Sequence, residues 1–82
     1  MPTVLRFLGL RVVIYPNYHP PPHVHVMSQE CEVVFNLQCP HGPPELRENF
    51  GFTKNQLKNI AEFLAGDLMV LCTRWRDIHE SN

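Results

Sequence analysis

Long apolar runs and clusters of like charge are both missing from this sequence of 82 residues. No stretch approaches the 18 or so consecutive apolar residues of a membrane-spanning helix, so we expect no membrane insertion. The formal net charge is −1 and no run of basic residues occurs, which argues against a domain that binds nucleic-acid duplexes through its charge. The opening segment MPTVLRFLGL lacks a small-residue cleavage site, so it does not predict a secretory signal.

The sequence contains three cysteines, and their spacing matches no common motif. The sequence contains Cys31, Cys39 and Cys72 and no CxxC pair, so it does not predict a zinc-ribbon or thioredoxin-like site. Three cysteines cannot all pair within one chain, and we expect free thiols in the reducing cytoplasm. Cys31 and Cys72 fall on apolar faces of predicted elements, where small buried cysteines are common.

The residues that are present predict a single α+β domain over residues 1–82, because a chain of this length supports one core. The first half is rich in branched and aromatic residues, and Gly9 stands where a hairpin needs positive φ. The short connections predict a four-stranded antiparallel meander. We expect the strands within about residues 3–37, at 3–8, 10–15, 23–27 and 31–37, then a loop at 38–44.

The second half is predicted to be helical over residues 45–79. Pro44 suits the start of a short helical turn over residues 45–48, and Thr53 with Gln56 forms a capping box ahead of an amphipathic stripe. Gly66 and Asp67 interrupt that stripe, which favours two helices with a bend over one kinked helix. The helix or helix pair is expected to pack on one face of the sheet.

The stretch HPPPHVHV, residues 19–26, is the strongest candidate site. Side chains alternate along a strand, so His23 and His25 share one face while Val24 and Val26 point the other way. Three prolines stiffen the approach from His19. The three imidazoles are candidates for a catalytic site or for a divalent metal site of the zinc or iron kind. A solvated or hydrogen-bonded histidine pair explains the same pattern without any ligand.

Other candidate residues lie outside this stretch. Cys39 and His41 form a C-x-H pair in the loop and could complete a metal site if the loop folded back. Arg74 and Arg76 flank Trp75 and could contact a nucleic acid through charge and stacking. Trp75 lies on the apolar stripe, however, so core packing is the simpler prediction for it.

Three blocks of the sequence resemble a family of small bacterial proteins, the domain of unknown function 4160. They are MPTVLR, HPPPHVHV and PPELRENFGFT, the last followed by an amphipathic helix. The resemblance covers nearly the whole chain and implies a bacterial, cytoplasmic α+β protein, with some relatives labelled toxin–antitoxin-like. It assigns no catalytic role to the histidines. The segment LQCPHGPP is longer than in relatives, so Cys39 and His41 lie in a part peculiar to this chain.

Three functional hypotheses follow. The first is a non-enzymatic interaction module of toxin–antitoxin type, with a protein partner or a second copy of the chain covering an apolar surface. The second is a metal-dependent hydrolase or nuclease that uses His19, His23 and His25, with a histidine as general base. The third is a nucleic-acid-binding accessory protein, which the near-neutral charge disfavours.

Overall fold

The fold is an antiparallel five-stranded sheet followed by two helices. The computed structural model describes residues 3–16 and 20–80. The strands are β1 (Thr3–Phe7), β2 (Leu10–Val13), β3 (His23–Met27), β4 (Glu32–Asn36) and β5 (Glu45–Phe50), and the helices are α1 (Lys54–Gly66) and α2 (Leu68–Glu80). The strands lie in the order β1-β2-β3-β4-β5. The α+β class and the meander are therefore confirmed, but the sheet has five strands where the sequence predicted four.

The β1–β2 hairpin follows from two residues that adopt positive φ. Leu8 has a φ of 48° and Gly9 a φ of 76°, and Phe7 pairs with Leu10 across the turn. Two consecutive residues with positive φ match the right-handed twist of the strands that they join. The predicted turn at Gly9 is confirmed.

The fifth strand replaces the helical turn that was predicted over residues 45–48, and that prediction is wrong. Leu46 pairs with Phe35 and Glu48 with Val34, with an irregularity in the register at Arg47. Glu, Leu and Arg favour helices locally, but a single helical turn is not stable alone. Pairing with β4 satisfies backbone groups of both strands, and this tertiary gain exceeds the small local preference.

The two helices begin and break where the sequence indicates. The Thr53 hydroxyl accepts a hydrogen bond from the Gln56 backbone, and the Gln56 side chain accepts one from the Thr53 backbone. Asp67 separates the helices, and its N–H reaches the carbonyls of Phe63 and Leu64. The capping box and the bend near Gly66 are both confirmed.

The core lies between the helices and one face of the sheet. Leu37, Ile60, Leu64 and Leu71 are among its fully buried members, and Trp75 is buried with them. The expected burial of Trp75 is confirmed. Within residues 3–16 and 20–80, neither helix has the length and apolar character needed to cross a membrane.

Two of the three cysteines form a disulfide, so the prediction of three free thiols is wrong. Cys39, in the loop after β4, is bonded to Cys72 on α2, with 5.9 Å between the Cα atoms. Cys31 is free. The sequence places Cys72 on an apolar stripe but cannot show that the loop returns to that stripe. Free thiols therefore no longer support the cytoplasmic prediction.

Candidate functional site

His23 and His25 lie on the face of the sheet opposite the helices. Val24 and Val26 belong to the core, and strand alternation directs the histidines to the other face. The two imidazole ring centres are 5.4 Å apart. Only 4% of His23 and 6% of His25 is exposed, so two polar rings are held almost entirely away from solvent. Such burial is unusual for an idle surface pair.

The His23 ring is fixed by a hydrogen bond to the backbone. Its Nδ1–H donates to the carbonyl of Pro21 at 2.9 Å. Burial lowers the pKa of His23 below the ordinary value of 6.5, and nearby His25, Arg47 and His79 lower it further, while the bond to Pro21 acts in the opposite direction. The ring is therefore neutral at pH 7, and in this tautomer Nε2 carries the lone pair.

The His25 ring is fixed by a carboxylate. Its Nδ1–H donates to Glu32 Oε2 at 2.8 Å, and the Tyr15 ring meets it edge-on with centres 4.7 Å apart. A carboxylate on Nδ1 holds an imidazole in one tautomer and one orientation. The pair therefore has the arrangement of an oriented base or metal ligand.

Glu32 is a residue that the sequence analysis did not assign to the site. The turn after β3 is short because Ser28 Oγ accepts from the N–H groups of Glu30 and Cys31. Glu32 consequently pairs with Met27, which places it diagonally across from His25. Diagonal neighbours on one face are close enough for long side chains to meet. A hairpin of known length would have been sufficient to predict this contact.

A cavity of about 280 Å³ opens beside the histidines, lined by His23, His25, Val34, Arg47 and Glu48. His25 pairs with Val34, and Val34 pairs with Glu48, so the three lie in one row across β3, β4 and β5. The irregularity in β5 brings Arg47 to the same cavity. The sequence analysis missed Arg47 and Glu48 because it placed them in a helical turn.

Two other predicted ligands, Cys39 and His41, do not line this cavity. His19 lies outside the described residues. The sulfur of Cys39 is bonded to Cys72 and is not a free thiolate, and His41 is exposed in the loop. Within residues 3–16 and 20–80, no three His, Cys, Asp or Glu side chains already surround one point as a metal site requires.

Arg74 and Arg76 lie exposed on α2. The Arg76 guanidinium is 3.8 Å from Glu80 and 3.9 Å from Asp77, a weak surface network. Trp75 between them is buried and stacks on His79 with ring centres 3.6 Å apart. The indole is therefore not available to stack on a base, and only the charge of the two arginines remains for contact with a nucleic acid.

Comparison with known protein families identifies a domain of unknown function. The model of a domain of unknown function, DUF4160, matches residues 9–76, a span that includes all of β2 to β5 and the histidine cavity. No curated protein and no solved structure matches the chain.

Proposed function

Because this chain belongs to the DUF4160 family, whose description assigns no activity, we propose that it is a small protein-interaction module. Some relatives are labelled toxin–antitoxin-like, and because the two members of such a pair are encoded side by side, the protein from the adjacent gene is the partner to test. The observation that carries the proposal is the exposed edge strand β5.

All six residues of β5 are exposed. The strand pairs with β4 on one side, and within the described residues its other side pairs with no strand. An open edge presents backbone N–H and C=O groups to any extended segment of another chain. Leu46 is 48% exposed and Phe50 57%, so apolar contacts are available next to the backbone groups.

The edge also carries features that restrict which segment can pair with it. Arg47 and Glu48 are charged, and the irregularity of register at Arg47 interrupts a flat ladder. Natural proteins use such features to prevent indiscriminate pairing of edges. We therefore expect a specific partner with complementary charges at this point rather than general aggregation.

Sedimentation velocity over a range of concentrations, with and without the protein encoded by the adjacent gene, tests the proposal. We expect a dimer or a complex with that protein, and its loss in a Leu46→Ser, Phe50→Ser double variant. Leu8→Ser is the matched control, because Leu8 is 83% exposed at the hairpin on the far edge. A wild-type chain that remains monomeric and binds no co-expressed neighbour contradicts the proposal.

The His25–Glu32 pair favours a second candidate, an enzyme that uses a histidine as general base. An imidazole that a carboxylate holds in one orientation has the arrangement of a general base. A hydrolase or nuclease, with or without a metal, fits this chemistry. In such an enzyme the Glu32→Gln variant should lose about 10²–10⁴-fold in hydrolysis of a model phosphodiester or ester. Wild-type rates that equal those of Glu32→Gln contradict this candidate.

A further inference from the structure

We propose that a cavity between α2 and the loop after β4 binds a small organic acid with an apolar body and one carboxylate. This α2 cavity has a volume of about 360 Å³, and its lining comes from the segment before β3, the loop after β4 and α2. It shares no residue with β5 or with the histidine cavity, so the proposal does not rest on the interaction module.

One wall of the α2 cavity is a face of the helix. Four residues spaced three or four apart form it: Met69, Cys72, Thr73 and Arg76. Such spacing places side chains on one side of a helix. A second wall is formed by Cys39 and Pro40 in the loop, and the Cys39–Cys72 bond joins the two walls. The disulfide therefore shapes a cavity as well as linking two distant segments.

Backbone hydrogen bonds hold the other parts of the lining in place. Pro22 also lines the cavity, and its carbonyl accepts from the N–H of Leu37 at 2.9 Å. Within the loop, the N–H of Gly42 donates to the carbonyl of Gln38 at 2.6 Å. The walls are thus set before a ligand binds, which lowers the entropic cost of binding.

The lining is mostly apolar and partly open to solvent. Two prolines, a methionine, an indole and a disulfide supply most of it, and Met69 is 70% exposed. Sites for small molecules are concave, mostly apolar cavities of about 300–1,000 Å³ with a few polar groups. A ligand with an apolar body would remove the surface of Met69 from water, which favours binding.

The polar side chains of the lining select a carboxylate. Thr73 contributes a hydroxyl and Arg76 a guanidinium, and no Asp or Glu is among the described residues that line the cavity. Arg76 Nε lies 3.9 Å from Asp77 and 3.8 Å from Glu80, and all three side chains are exposed. Exposed pairs of this kind are weak. The guanidinium is therefore free to turn to a ligand, and its geometry matches a carboxylate.

Trp75 gives a second, independent indication of a ligand. It lines the cavity and is only 8% exposed, and its Nε1–H has no hydrogen-bond partner among the described residues. A buried donor without an acceptor is rare in folded proteins and calls for an explanation. Because Trp75 and Arg76 line the same cavity, a bound carboxylate brings an acceptor to the indole, which needs a small shift of the ring to reach it.

Titration of the full-length wild-type chain with phenylacetate, followed by ¹H–¹⁵N NMR, tests the proposal. Trp75 is the only tryptophan in the sequence, so the indole N–H gives a single resonance. We expect this resonance to move in a saturable manner, with one acid bound per chain. Phenylacetamide, a neutral analogue of the same shape, should bind at least about tenfold more weakly because it has no charge for Arg76. Equal binding of the amide, or an indole resonance that phenylacetate does not move, overturns the proposal.

Variants supply the second measurement. Arg76→Met should weaken phenylacetate binding at least about tenfold and leave the binding of phenylacetamide unchanged. Arg74→Met is the matched control, since Arg74 is exposed on the same helix but does not line the cavity. Met69→Gln should weaken the binding of the acid and of the amide alike, because it alters the apolar wall. Equal losses of phenylacetate binding in Arg74→Met and Arg76→Met would also overturn the proposal.

Discussion

Breaking the Cys39–Cys72 bond should destabilise the protein strongly. The bond joins residues 33 positions apart, and the loss of loop entropy in the unfolded chain for a loop of that length corresponds to about 4 kcal/mol at 25 °C. A domain of this size has a total free energy of unfolding of about 4–12 kcal/mol. Reduction should therefore remove a third or more of that free energy.

Urea denaturation of a Cys31→Ser chain, with and without a phosphine reductant, measures the effect without interference from the third thiol. We expect the midpoint to fall by roughly 1–4 M on reduction. A thiol count on the unfolded wild-type chain gives an independent check, with one thiol before reduction and three after it. Equal midpoints in both conditions, or three thiols without reductant, would refute the reasoning.

Three further predictions concern stability. Because the pKa of folded His23 is lowered, the stability contributed by its neutral ring is fully present above pH 6.5 and declines as the pH falls below it, by at most about 1.4 kcal/mol per pH unit. Urea titrations at pH 7.5 and 5.5 should show a smaller difference in the free energy of unfolding for His23→Gln than for the wild type. Equal differences for the two proteins would contradict this prediction. Thr53→Ala removes the capping box and should lower the free energy of unfolding by about 1 kcal/mol. The control Thr73→Ala, on the exposed face of α2, should change it little. Equal decreases in melting temperature for the two variants would count against a stabilising role of the cap. Gly51→Ala should destabilise the protein by more than about 1 kcal/mol, since the φ of Gly51 is +104°, whereas Gly66→Ala in α1 should stabilise it by up to about 1 kcal/mol. Chemical denaturation measures both changes. A Gly51→Ala chain more stable than the Gly66→Ala chain would be inconsistent with the backbone geometry.

Local signals in the sequence were sufficient for most of the fold. Gly9 identified the first hairpin because a two-residue turn needs positive φ. Thr53 and Gln56 identified the start of α1 because their side chains satisfy backbone groups within four residues. The strand β5 was not predictable in this way, since its residues favour a helix locally and become a strand only by pairing with β4.

In the candidate site, too, some features were predictable from the sequence and others required the tertiary structure. The common face of His23 and His25 follows from strand alternation and could be read from the sequence. Their burial and the contact with Glu32 depend on the register of neighbouring strands. Arg47 and Glu48 enter the cavity only because β5 joins the sheet.

The sequence by itself therefore determined the elements whose interactions span a few residues: the hairpin turn, the cap of α1, the alternation of β3 and the apolar stripe of the helices. The tertiary structure alone decided which distant parts meet. It paired Cys39 with Cys72, added β5 to the edge of the sheet and formed a cavity beside two buried histidines. The physical reason is that a backbone preference is a local energy, whereas a strand pairing, a disulfide or a cavity depends on where the rest of the chain has already packed.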